Sequence, residues 1–252
     1  METLKKTIRC LDSITDKILF FIFLFLFLIG LYAMYDSFLV YQAANDTSIL
    51  KYKPDYEGIA PDKPIKGNMV GWLTIDDTKI DYPIMQGEDN NEYLNKDPFG
   101  DYSLSGSIFL DSRNTSDFSD DYSLIYGHHM ENDLMFGALD HYLKKGYLEK
   151  HNKGTIYIDD VPYELTLFAV GESEATNEII FAPTFADAGT VCSYIKQNAL
   201  YFDESVKMQE NDKIIALSTC KYPDTVERTL VFGYLTLNLK GPFKIKTLIN
   251  FK

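Results

Sequence analysis

Between Ile18 and Met34 the chain reads Ile-Leu-Phe-Phe-Ile-Phe-Leu-Phe-Leu-Phe-Leu-Ile-Gly-Leu-Tyr-Ala-Met, without a single charged residue. A helix on the surface of a soluble domain keeps a polar stripe toward water, and this segment offers none on any face. Its length is close to that needed to cross a bilayer as a helix, so it reads as one transmembrane span. Lys5, Lys6, Arg9 and Lys17 precede it, whereas Asp36 follows it and the next lysine is Lys51. Because basic residues collect on the cytoplasmic flank, the N-terminal tail is expected inside and the bulk of the chain outside. The competing reading is a cleaved leader. Its apolar core would be unusually long, and the best small-residue cleavage candidate, Gln42-Ala43-Ala44, is poorly placed. The expected organisation is a cytoplasmic tail over 1–17, a transmembrane anchor over 18–35, a helical and linker segment over 36–66 and an exterior domain over 67–252.

Past the anchor about 215 residues remain, enough for one domain with a sizeable core. That region carries 20 basic against 34 acidic residues. Such an excess of negative charge argues against nucleic acid as a partner, since phosphate binding needs the opposite sign. Residues Asp46 to Tyr56 read as a short helix, and Pro54, Pro61 and Pro64 mark a linker. Val70-Gly71-Trp72-Leu73-Thr74-Ile75, a turn at Asp76-Asp77 and Lys79 to Ile84 form a hairpin pattern. Further strands are expected at Ser107 to Leu110, Ser123 to Tyr126, Gly154 to Ile158, Tyr163 to Gly171, Lys213 to Ser218 and Thr229 to Leu237, with helices at Met135 to Leu139 and Ala188 to Leu200. Many short strands and few helices make a mostly β fold, a small closed or nearly closed barrel with short helices, preceded by the one transmembrane helix.

The residues that carry chemistry are few. Three cysteines are present, Cys10 before the anchor and Cys192 and Cys220 beyond it. One disulfide between the exterior pair is the plain alternative to a reactive thiol. Val191, Cys192, Ile195 and Ala199 repeat at helical spacing, so Cys192 reads as a small core hydrophobe and Cys220 is left free to react. Cys220 ends the run Ile214-Ile215-Ala216-Leu217-Ser218-Thr219-Cys220, and Arg228 opens the next one. Arginine is scarce here, with 21 Lys against Arg9, Arg113 and Arg228 alone, so an ordinary surface cation would more often be lysine. With Tyr126-Gly127-His128-His129, the chain supplies a thiol, an imidazole and a guanidinium. That set suffices for acyl transfer, with a nucleophile, a proton carrier and a cation for the developing oxyanion. His128 and His129 compete for the imidazole role, while His141 and His151 read as ordinary loop or helix residues. No paired-ligand spacing of the zinc kind is present, so no metal is expected. Asp111, Asp117, Asp120 and Asp121 read as a solvated loop whose carboxylates cap turns, because their spacing does not match a calcium loop.

Leu217-Ser218-Thr219-Cys220, the arginine eight residues on, Tyr126-Gly127-His128 upstream and the opening Gly71-Trp72-Leu73 together resemble the sortases, membrane-anchored cysteine transpeptidases of Gram-positive bacteria. The resemblance covers about Gly67 to Leu237. A long segment with its own helix, Phe181 to Gln209, before the Cys strand is similar to class B members. One departure is Ala216, where the family often shows Thr in Thr-Leu-x-Thr-Cys. The resemblance implies a sortase-like barrel in which Cys220 opens a Thr-Gly-like bond of a C-terminal sorting signal and holds the acyl group as a thioester. It further implies that His128 is the acid and base and Arg228 holds the substrate carbonyl or the oxyanion. Ser218 and Thr219 are candidate pocket supports, although strand alternation puts only Ser218 on the Cys220 face. The implied partners are surface proteins bearing the signal, an amine of a peptidoglycan precursor or another protein, and the membrane; no cofactor is implied. A hydrolase that releases the acyl group to water, and an anchored binding module with an inert thiol, are the alternatives.

Overall fold

A computed structural model of the protein describes residues 1–58, 65, 67–184, 187–206, 212–220 and 226–237. Pro61 and Pro64 of the expected linker, the end of the Phe181 to Gln209 segment and everything after Leu237 lie outside these residues. The described chain divides into two units, one ending at Ala43 and one beginning at Ala44. The first is helix α1, Glu2–Ala44. At 1.5 Å per residue it is roughly 65 Å long, twice the hydrocarbon thickness of a bilayer. It is long and apolar enough to cross a membrane.

The second unit opens with a 3-10 helix, Thr47–Tyr52, shorter than the helix expected over Asp46 to Tyr56. Asp46 caps it by accepting from the Ser48 amide at 2.9 Å. Lys53 is already extended, as the residue before Pro54 must be. Nine strands follow: β1 Met69–Ile75, β2 Asp81–Met85, β3 Ile108–Leu110, β4 Tyr122–Tyr126, β5 Lys153–Ile158, β6 Val161–Glu174, β7 Tyr201–Phe202, β8 Lys213–Cys220 and β9 Glu227–Leu237. Helices α2, Glu178–Phe181, and α3, Ala188–Asn198, lie between β6 and β7. Pairing runs β5-β1-β2-β3-β4-β8-β9-β6, and β6 returns to β5, which closes eight strands into a barrel with β7 added beside β6. The expected mostly β barrel is therefore present.

Strand alternation sorts the side chains into two cores. Leu73, Ile84, Ile125, Leu217 and Val231 fill the barrel interior with their neighbours. Tyr122, Leu124, Ala216, Leu230 and Phe232 point outward and are covered by Ile180 of α2 and by Val191 and Ile195 of α3. Cys192 packs against this outer core and is only partly buried. Strand β6 can serve both cores because a bulge between Leu167 and Ala169 shifts its register. Leu165, Leu167 and then Val170 all reach the interior, which strict alternation could not achieve. β4 and β8 are parallel neighbours, with Tyr122 opposite Ile214 and Tyr126 opposite Ser218. Joining parallel strands requires a crossover, and the whole stretch from β5 to β7 supplies it.

Candidate active site

The outward face of the sheet around the ends of β4, β8 and β9 floors a groove of about 300 Å³. It is bordered by Asn90, Leu94, Phe109, Tyr126, Gly127, Ala175, Phe181, Ser218, Thr219, Cys220 and Arg228. Cys220 and Arg228 are direct partners across the antiparallel β8 and β9 pair, so both side chains leave the sheet on one face. Cys220 is half-buried and its thiol is free, as is that of Cys192. Arg228 donates from Nη1 to the Glu227 carbonyl at 3.2 Å.

The parallel register of β4 and β8 brings the histidine to the same end. Two residues beyond the Tyr126 and Ser218 pair stand His128 on one chain and Cys220 on the other. The Gly127 amide donates to the Ser218 carbonyl at 3.1 Å, carrying the pairing one residue past β4. His128 itself does not border the groove, but its Nε2 lies 2.7 Å from the carbonyl oxygen of Leu94, which does. A carbonyl only accepts, so Nε2 carries the proton and Nδ1 is the nitrogen that can take one. His129 is directed elsewhere, to Asp140 at 2.7 Å. His141 pairs with Asp133 at 2.8 Å, and the ring of His151 stacks on Tyr147. Among the described residues no three His, Cys, Asp or Glu side chains are grouped to hold a metal ion.

Thr219 borders the groove together with Ser218, although alternation turns its side chain toward the barrel interior. A cavity at a strand end is bordered by main chain as well as by the side chains of one face. The Ser218 hydroxyl is buried and has no hydrogen-bond partner among the described residues. One expectation changes, that of a uniformly solvated acidic loop. Asp117 and Asp120 cap turns, accepting from the amides of Ser119 and Thr115. Asp111, by contrast, is fully buried and holds Arg113 through Nε at 2.8 Å and Nη2 at 2.7 Å. Burial pushes the Asp111 carboxyl upward, but the hydrogen bonds and charge of Arg113, with Asn90, outweigh it and hold the group below the ordinary range. Burial raises the neighbouring Tyr126 hydroxyl far above that of a free phenol, and the Asp111 charge adds to this. Asn90, Leu94, Phe109, Ala175 and Phe181 were not evident as groove residues from sequence. Phe109 lies in the expected strand β3, and the others come from loops and helix ends with no periodicity to read.

A barrel that presents a free thiol and an arginine at one groove, with an imidazole bonded to Leu94 of its border, has the equipment of a thiol acyltransferase. A family model for the sortase domain matches residues 73–236, and the chain belongs to the sortase family. It is 41% identical over 155 residues to sortase B of Listeria monocytogenes, covering 61% of this chain and 63% of that protein, so it spans less than two thirds of the relative's length. A Streptococcus pyogenes class B sortase involved in pilus biogenesis has a similar structure, with a TM-score of 0.63 and 38% identity over 68% of this chain and 94% of that one. The Staphylococcus aureus sortase B and substrate complex gives a TM-score of 0.61 and 28% identity over 69% of this chain and 82% of that one.

Proposed function

We propose that this chain is a membrane-anchored cysteine transpeptidase of the class B kind. The observation that carries the reading is the pairing of Cys220 with Arg228 at the mouth of one groove, with His128 at the matching level of the next strand. Nδ1 of His128 takes the Cys220 thiol proton, and the resulting thiolate attacks the carbonyl carbon of a Thr-Gly-like bond in a C-terminal sorting signal. The tetrahedral oxyanion forms beside the Arg228 guanidinium, whose charge and fixed donors stabilise it most when the oxygen is most negative. As the intermediate collapses, the C–N bond breaks and the leaving amine takes a proton from His128, which leaves a thioester on Cys220. A second amine, from the cell wall or another protein, then attacks the thioester, gives its proton to His128 and expels the thiolate. Ser218 helps shape the groove. That a relative acts in pilus biogenesis supports a protein amine as one acceptor.

The test is a panel of Asn-Pro-x-Thr, Leu-Pro-x-Thr and Ser/Pro-Pro-x-Thr peptides given to the protein with and without an added amine. Cleavage of one type with an amide product tracking the amine is expected. Cleavage that ignores the amine supports the hydrolase reading instead, and no cleavage with an inert thiol supports the binding module.

The division into a tail over 1–17, an anchor over 18–35, a linking segment over 36–66 and a catalytic domain over 67–252 belongs to the same reading. It places the barrel outside the cell. The full-length protein is therefore expected in the membrane fraction, and protease added to intact protoplasts is expected to remove the barrel. A mature form in the medium beginning near Asn45 would contradict this.

A further inference from the structure

Of the three arginines, Arg113 has no part in the chemistry above, yet it is bonded toward the groove from behind. Its Nη2 donates to Asp111 at 2.7 Å and also to the carbonyl of Phe181 at 2.6 Å. The same Asp111 oxygen accepts from Asn90 Nδ2 at 2.9 Å and from the Tyr126 hydroxyl at 3.0 Å. The other end of the Asn90 amide accepts from the Ser112 main chain at 2.7 Å, so that side chain cannot flip without losing both bonds. Asn90, Tyr126 and Phe181 all border the groove, whereas neither member of the ion pair does. They belong to three separate segments: the loop after β2, the end of β4 and the end of α2.

The Phe181 segment most needs such a tether. Helix α2 has only four residues, and a single turn is unstable on its own. The carbonyls of its last turn have no partner within the helix, and two barrel side chains take them. The Tyr122 hydroxyl donates to Ile180 at 3.0 Å, and Arg113 donates to Phe181. A carboxylate with 0% exposure is costly unless every lone pair is used, and here a charged fork and three neutral donors, Asn90, the Tyr126 hydroxyl and the Arg113 amide, use them. Asp111 and Arg113 thus spend a buried charge on joining three segments that border the groove.

We infer that the Asp111 and Arg113 ion pair is a positioning device for peptide binding, holding Asn90, Tyr126 and Phe181 in fixed relation so that an extended substrate meets a preformed groove. This rests on the functional reading above. A groove ordered before binding spares the peptide the cost of ordering it, so loss of the device weakens binding more than chemistry.

The experiment compares Arg113→Met, which keeps chain length but removes the donors, with the unaltered protein, using a peptide that the latter cleaves. KM is expected to rise on the order of tenfold while kcat stays within about threefold, the pattern of lost uniform binding. Amide exchange over 178–184 is expected to quicken by about tenfold, with β8 unchanged. Arg113→Lys keeps the charge on Asp111 without the planar fork and is expected to recover part of the affinity; it also serves if Arg113→Met fails to fold. Lys213→Met removes the ion pair with Asp121 at the opposite end of β8 and controls for a general loss of stability. An unchanged KM in a folded Arg113 variant, an equal rise in Lys213→Met, or unaltered exchange over 178–184 would overturn the inference. A parent protein that cleaves no peptide overturns the functional reading first, and this one with it.

Discussion

Replacing Cys220 by alanine is expected to abolish peptide turnover and leave the barrel folded. The thiol sits at the last position of β8, where the strand's main chain is held by β9 through the Cys220 and Arg228 pair, and that pairing does not depend on the side chain. Removing one half-buried sulfur at a strand end costs little packing, about 1 kcal/mol or less. The chemistry has no substitute, because a methyl group cannot form a thioester and hydroxyls such as Ser218 are far poorer nucleophiles at neutral pH. Cys192→Ala provides the contrast. Cys192 lies on α3 against the outer core, away from the groove, so its loss is expected to lower stability slightly and leave the rate unchanged. Rates for the three proteins beside their thermal midpoints decide the matter. A folded Cys192→Ala protein without activity, or a Cys220→Ala protein with it, would show that the nucleophile is misassigned.

Arg228→Lys is expected to lower the rate on the order of a hundredfold or more while the fold persists, as loss of an oxyanion donor does elsewhere. Lysine keeps the charge but replaces a planar fork of donors with a point charge on a flexible stem. If the guanidinium meets the oxyanion only as charge develops there, kcat falls with kcat/KM, and KM changes little. If Arg228 merely balances surface charge, the substitution is nearly silent. A stable Arg228→Lys protein with a near-normal rate would remove this residue from the mechanism.

Much of the barrel was legible because its strands are apolar runs bounded by turn residues. The β1 and β2 hairpin stood out from Val70 to Ile84, and the β8 and β9 runs gave both the thiol and the guanidinium. The sequence could not show that these two residues face each other, since register depends on pairing partners distant in the chain. Features set by tertiary packing were less visible. The two-residue β7 carries no pattern, and the helix expected over Met135 to Leu139 is a 3-10 segment, Gly137–Leu143. Met135 has φ of 50°, which delays the helix until after it. The bulge in β6 defeats simple alternation, so the strand runs three residues past its expected end at Gly171. Asp111 reads as a loop carboxylate among others, and only the fold brings Arg113, Asn90 and Tyr126 to it. The scarcity of arginine that drew attention to Arg228 applied equally to Arg113 and was the one signal available for it.

The central claim is that Cys220 carries the acyl group of a sorting-signal peptide on its way to an amine. The most direct measurement mixes the protein with excess cleavable peptide, quenches in acid within one turnover and determines the intact mass. The account expects a mass increase equal to the acyl portion of the peptide, mapped to Cys220, absent from Cys220→Ala and discharged as an amide when an amine is added. Full cleavage of the peptide with no adduct on Cys220 at any quench time, or an adduct that persists in Cys220→Ala, would contradict it.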